Sequence, residues 1–136
     1  MNSIFLNTNV ILDLIEDRKP FSHYAQYIFS RKEANEVMLY TSSLNFANLH
    51  YIISKKTNKD TALKTLLKLK MLISLLPLTD KIIELSLASN FSDFEDAIQY
   101  FSAIENGINT IITRDIKDFK KARINILSSK QYFEMM

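Results

Sequence analysis

The chain has 136 residues, 47% hydrophobic and 24% charged, the composition of an ordinary soluble globular protein and enough to bury a proper core in one domain spanning 1–136. With no cysteine, a disulfide framework and thiolate metal sites are excluded, and two distant histidines, His23 and His50, argue against a histidine-rich zinc site. Seventeen basic against fifteen acidic residues give +2, a weak charge that neither demands nor excludes a nucleic-acid partner.

The opening stretch Ile4 to Asp13, I-F-L-N-T-N-V-I-L-D, reads as a buried strand, a tight turn and a helix. Ile4-Phe5-Leu6 is too short for a helix, and Thr8 or Asn9 is expected to cap the helix through the apolar run Val10 to Ile15. No basic segment followed by a long apolar region precedes it, so no signal peptide is expected. Phe21 to Asn35 carries Tyr24, Ile28 and Phe29 at helical spacing, after Pro20 and with Ser22 as a candidate cap. Val37 to Tyr40 is expected to be a second buried strand, and Ser42 or Ser43 to open a helix through Leu44, Ala47, Tyr51 and Ile52.

Asp60 to Leu75 reads as one apolar-rich helix with Leu63, Leu66, Leu67, Met71 and Ile73, and Leu75 to Leu78 as a brief strand that Pro77 confines to an edge or a loop. The apolar run Met71 to Leu78 is broken by Ser74 and Pro77, so no stretch reaches membrane-spanning length and a cytoplasmic protein is expected. Thr79 or Asp80 should cap Lys81 to Ser89, and Ser92 or Asp93 a helix burying Ala97, Ile98, Phe101, Ala103 and Ile104. Gly107, the single glycine, suits the left-handed position that ends a helix. A strand Thr110 to Thr113 follows, then Arg114 to Phe119 in a turn and short helix, a last strand Ile124 to Leu127, and a final helical turn or two over Ser128 to Glu134. Short apolar strands separated by helices point to the α/β class, a parallel sheet inside a helical coat.

In such a sheet, ligands gather beyond the carboxyl ends of the strands. Asn7 ends the first strand, Asp115 and Asp118 follow Thr110 to Thr113, and Asp93 and Asp96 begin the helix before it. Carboxylates converging without basic partners repel one another, and a hard divalent ion with oxygen ligands relieves that repulsion. Singly, each acid has a simpler use: Asp93 and Asp115 as caps, Asp96 as a first-turn residue favoured by the helix dipole. The lysines of the middle, Lys55, Lys56, Lys59, Lys64, Lys68 and Lys70, are expected on solvated helix faces. Arg114 and Lys117 either hold an RNA backbone or are merely solvated, His50 is a candidate base but is expected to be a partly buried helix residue, and Tyr40 and Tyr51 are expected to fill the core rather than stack on bases.

Three separated motifs, I-F-L-N-T-N-V-I-L-D, D-F-E-D-A-I-Q-Y-F-S-A and I-I-T-R-D-I-K-D-F, together resemble the PIN-domain family, of which VapC toxins are the best-known members. Order and spacing agree from Ile4 to the terminal I-L-S-S-K-Q-Y-F. The resemblance implies a PIN-like three-layer fold, with a central parallel β-sheet of four to five strands flanked by helices. It also implies an endoribonuclease dependent on Mg2+ or Mn2+, an RNA substrate, a VapB-like antitoxin and a homodimer. The family's metal ligands map onto Asp96, with Asp93 beside it, and onto Asp118 or Asp115, with Asp118 preferred.

Two positions depart from the pattern. The first-strand motif of the family is F-L-D-T-N, where this chain has Asn7, and its second acid is a glutamate in the segment matching S-L-N-F-A-N-L-H-Y-I-I, where this chain has Asn48. A unit-charge pair at ligand range is worth about 4 kcal/mol at an effective dielectric near 20, and a divalent ion feels roughly twice that per carboxylate. An asparagine still offers a neutral carbonyl oxygen, so geometry survives where charge does not. The reading is a VapC-like ribonuclease with activity impaired by Asn7 and Asn48, with a non-catalytic RNA- or protein-binding module as the alternative.

Overall fold

The computed structural model describes residues 2–135. Five strands, β1 (Asn2–Leu6), β2 (Val37–Ser42), β3 (Ile73–Leu76), β4 (Thr110–Ile112) and β5 (Asn125–Leu127), form one sheet in the order β3-β2-β1-β4-β5. Every neighbouring pair is parallel. Among the described residues seven α-helices surround it: α1 (Thr8–Ile15), α2 (Phe21–Glu33), α3 (Ser43–Lys56), α4 (Lys59–Lys70), α5 (Asp80–Leu87), α6 (Phe94–Glu105) and α7 (Ser129–Met135). The expected central parallel sheet flanked by helices is therefore observed.

The sheet is buried on both faces, as the alternation in β1 records. Ile4 and Leu6 enter a core with Val10, Ile28, Leu39, Leu49 and Leu66, on the side of α1 to α4 and α7. Phe5 points the other way, into a second core with Tyr100, Ala103, Ile111 and Phe119 under α6. The chain moves outward from β1 to β2 to β3 with its connecting helices on one face, then crosses to β4 through α5 and α6 on the other. Right-handed crossovers require that change of face when the direction of travel reverses. The loops after β1 and β4 consequently diverge, leaving a crevice at their carboxyl ends.

Local chemistry explains most helix starts. Ser42, Asn58, Thr79 and Asp93 each accept a first-turn amide through a side-chain oxygen, at Asn45, Thr61, Ile82 and Asp96 respectively. Gly107 ends α6 at φ 70, as its left-handed role predicts. Four expectations change, the first being Ile104, expected on the buried side of α6 but 36% exposed. Asn7 rather than Thr8 or Asn9 occupies the cap position of α1, and its side chain makes no cap bond. Pro20, not Ser22, precedes α2, and Ser22 is buried. The helix expected to reach Leu75 stops at Lys70, and Ile73 belongs to edge strand β3, because the run Ile73–Leu76 pairs with Leu39 to Ser42. Short apolar runs suit a buried helix and a buried strand alike, and pairing decides between them. Among the described residues no helix is long and apolar enough to cross a membrane.

Candidate active site at the carboxyl edge of the sheet

A cleft of about 460 Å3 opens where β1, α3, α6 and the loop after β4 meet. Asn7, Asn48, Asp93, Asp96, Asp115 and Asp118 all line it, together with Thr8, Asn45, Tyr51, Ile52, Glu95 and Gln99. All six acids and amides singled out as site residues therefore line one cleft.

Asn7 is buried at the end of β1, where its backbone N–H donates to Ile112 O at 3.0 Å. Its Nδ2 donates to Thr113 Oγ1 at 2.9 Å, and the same hydroxyl accepts the Asp115 N–H at 3.0 Å. One hydroxyl thus ties the ends of β1 and β4 together. Because a threonine hydroxyl both donates and accepts, it would serve a carboxylate at position 7 as well as an amide. Asn9 strengthens the tie, its Nδ2 donating to Asp115 Oδ2 at 2.9 Å and its Oδ1 accepting the Arg114 N–H at 3.3 Å.

From the other side, α3 and α6 present pairs at helical spacing. Asn45 and Asn48 lie three apart on α3, as Asp96 and Gln99 do on α6, and residues so spaced share a helix face. Asn45 and Gln99 are buried, and Asn45 Nδ2 donates to Thr41 Oγ1 at 3.0 Å and to Gln99 Oε1 at 3.1 Å. Thr41 in turn donates to Leu6 O at 2.7 Å, so this amide network anchors α3 and α6 to the strand carrying Asn7. Asn9, Asn45, Gln99 and Thr113 were not singled out from the sequence. The three-residue spacings were the available signal for Asn45 and Gln99.

The electrostatics are one-sided. The Asp96 carboxyl is pushed up to about 7 by burial first, then by Asp93, Asp118, Asp115 and Glu95. Among the described residues, none lining this cleft is basic. The donors available are carboxylate and amide oxygens, the hard ligands that magnesium and manganese take. In kind they fit such an ion, with Asp96, Asp118, Asp115 and Asp93 as the charged members. In number they fall short: among the described residues no three acidic or imidazole side chains form a ready ligand group.

Two further expectations change here. Tyr51 is 60% exposed, at the rim of the cleft, with Lys55 Nζ 4.8 Å from its ring centroid, so it does not fill the core. Arg114, a candidate for gripping RNA, turns away from the cleft, its Nε 3.3 Å from Asp13 Oδ2 and its Cζ 4.5 Å from the Phe21 ring centroid. Asp13 is fully buried, and burial holds its carboxyl above the ordinary value against the opposing pull of Arg114 and Arg18. Tyr40 is partly buried against the second core, His50 is partly buried on α3, and the middle lysines from Lys55 to Lys70 are exposed, as expected.

Comparison with known proteins agrees with this architecture. Residues 3–117 match the model of the PIN domain. The chain is 30% identical over 141 residues to ribonuclease VapC1 of Aquifex aeolicus, covering 98% of this chain and 96% of that protein. Among solved structures it resembles FitAcB from Neisseria gonorrhoeae, with a TM-score of 0.72 at 17% identity over 93% of this chain and 98% of that one. It also resembles a toxin-antitoxin complex from Klebsiella pneumoniae, with a TM-score of 0.71 at 19% identity over 93% and 97% of the two chains. The sheet order, the cleft at its switch point and these matches agree, and the chain belongs to the PIN-domain family.

Proposed function

We propose that this chain is a VapC-type ribonuclease that hydrolyses RNA phosphodiesters with Mg2+ or Mn2+, at a rate lowered by Asn7 and Asn48. The observation that carries this reading is the cleft itself, lined by Asp93, Asp96, Asp115 and Asp118 with no basic side chain among the described residues, and with Asp96 pushed up to about 7. Carboxylates gathered without a counter-charge call for a cation. Asp96 and Asp118 are the principal holders, Asp115 and Asp93 flank them, and Asn7 and Asn48 supply neutral oxygens where an acid would bind more strongly. When bound, a divalent ion lowers the pKa of water and stabilises charge on a phosphoryl oxygen. Thr113 and Asn9 hold Asn7 and Asp115 in register, and the Asn45–Gln99 pair fixes the distance between α3 and α6.

The identity to a protein named as a ribonuclease supports the RNA substrate, and the likeness to a toxin-antitoxin complex supports a VapB-like antitoxin as partner. A homodimer and a cytoplasmic location accompany that reading. Exposed Tyr51, with Lys55 over its ring, favours a second reading in which the cleft grips RNA without cutting it. RNA cleavage with Mn2+, measured on this chain and on Asn7→Asp/Asn48→Glu, separates the two. Slow cleavage that the double substitution accelerates supports the ribonuclease. Binding without cleavage in both chains supports the module, and cleavage by the parent at the rate of the double variant overturns the impairment.

A further inference from the structure

The carboxylate cleft has an arginine at its border that does not enter it. Arg114 directly precedes Asp115 and lines a shallow recess with Asp115, Ile116, Lys117 and Asp118. A guanidinium pairs readily with carboxylates, often through two parallel hydrogen bonds, and would compete with a divalent ion for the same oxygens. Arg114 instead lies over the Phe21 ring with Nε 3.3 Å from Asp13 Oδ2.

Asp13 is an unusual residue for its place. It is 0% exposed on α1 beside Val10, Ile11 and Leu12, all buried and apolar. Among the described residues, neither of its carboxylate oxygens, nor Arg114 Nε, has a hydrogen-bond partner. The contact therefore rests on charge and on the aromatic face rather than on directed hydrogen bonds. Replacing a buried ion pair by apolar residues is often neutral or stabilising, so packing alone gives little reason for a charge at position 13. Its other cationic neighbour, Arg18, is 3.8 Å away and already bound to Glu16, which also takes Lys56. Arg114 is thus the nearer of its two cations and the one that borders the cleft.

We propose that Asp13 is a positioning residue that holds the Arg114 guanidinium out of the carboxylate cleft and so keeps Asp115 and Asp118 open to a divalent cation. The inference rests on the cation-dependent reading of the cleft. Without Asp13, the guanidinium has exposed carboxylates at Asp115 and Asp118 within its own loop and fills the cleft from inside. Lys117 is present in every variant below and cannot account for a difference between them.

The test compares the full chain, Asp13→Asn and Asp13→Asn/Arg114→Gln, each with and without Asn7→Asp/Asn48→Glu, by calorimetric titration with Mn2+ alone and by the NMR resonance of the Arg114 Nε–H. Asp13→Asn should lower Mn2+ affinity about tenfold, and adding Arg114→Gln should restore it to within about twofold. The titrations are made at a temperature where amide spectra show every variant folded, so that a purely structural role for the pair, which lowers affinity only through unfolding, cannot produce that loss and restoration. Unchanged affinity in Asp13→Asn, or a double variant as weak as the single one, overturns the proposal. The double variant leaves no charge buried alone and is the form expected to fold even where Asp13→Asn does not; a tenfold loss in it is equally fatal. If no chain binds Mn2+ in either background, the ribonuclease reading fails, and the metal-free resonance still decides. Arg114 Nε–H should shift and exchange faster in Asp13→Asn, and an unchanged resonance overturns the inference.

Discussion

The two walls of the cleft are built alike and charged differently. α6 and the loop after β4 contribute Asp93, Asp96, Asp115 and Asp118, whereas β1 and α3 contribute Asn7, Asn45 and Asn48. Both walls are positioned by the same devices, a strand end at the sheet edge and a helix face with three-residue spacing. On the acidic wall, burial first and then repulsion from Asp93, Asp118, Asp115 and Glu95 raise the Asp96 carboxyl to about 7. On the amide wall, the same kind of side chain is satisfied by neutral hydrogen bonds to Thr113, Thr41 and Gln99. Backbone topology sets where the oxygen donors stand, and side-chain chemistry sets whether they carry charge. The second can therefore change while the first is kept.

The largest expected effect comes from giving the amide wall its charge. Asn7→Asp/Asn48→Glu should raise Mn2+-dependent RNA cleavage by about a hundredfold or more, with tighter Mn2+ binding, measured by turnover and calorimetry. Equal rates in the two chains would mean that missing charge on the amide wall does not limit cleavage. Removing charge from the acidic wall is the converse experiment. Asp96→Asn should abolish whatever cleavage the parent shows and weaken Mn2+ binding about tenfold, yet raise the metal-free melting temperature at pH 8, because a repelled, partly buried carboxylate is gone. A melting temperature lowered at that pH would count against burial and repulsion as the causes of the Asp96 shift.

Thr113 is where the walls touch. Thr113→Val keeps the shape but deprives Asn7 Nδ2 and the Asp115 N–H of their acceptor, and should cost about 1–3 kcal/mol in chemical denaturation. A loss of only a few tenths would show that neither group depends on this hydroxyl.

The smallest effect is a pH dependence. A carboxyl raised from 3.8 to about 7 in the folded chain favours folding least when ionised, so this contribution falls as pH rises between those values and stays low above 7. Without metal, stability from this group should be greater at pH 5.5 than at pH 8. Saturating Mn2+ should reverse the ranking, by stabilising more at pH 8, where Asp96 is ionised, and Asp96→Asn should flatten both trends. Melting curves at the two pH values, with and without the ion, provide the measurement.

Much of this arrangement was legible in the chain. The apolar run Ile4-Phe5-Leu6 before Asn7, the caps at Ser42, Thr79 and Asp93, and Gly107 after α6 act within a few residues, so periodicity and capping chemistry reveal them. The motifs also named Asp96, Asp115 and Asp118, which stand at strand or helix ends by local rules. Less legible was Ile73–Leu76, because an apolar run of that length fits a helix or a strand until β2 lies beside it. Tyr51 was read as core because aromatics usually are, and only the placement of α3 at the rim leaves it exposed.

The remaining distinctions belong to tertiary structure alone. Asn7 meets Thr113, and Asn9 meets Asp115, each 106 residues away, because the sheet order sets β4 beside β1. That same adjacency gives Arg114 the choice between Asp13 on α1 and the carboxylates of its own loop. The sequence by itself determined most of the elements, the fold class and the amides at positions 7 and 48. Which side chains face one another was decided by strand order and helix placement, since interactions between distant residues leave no periodic trace in the chain.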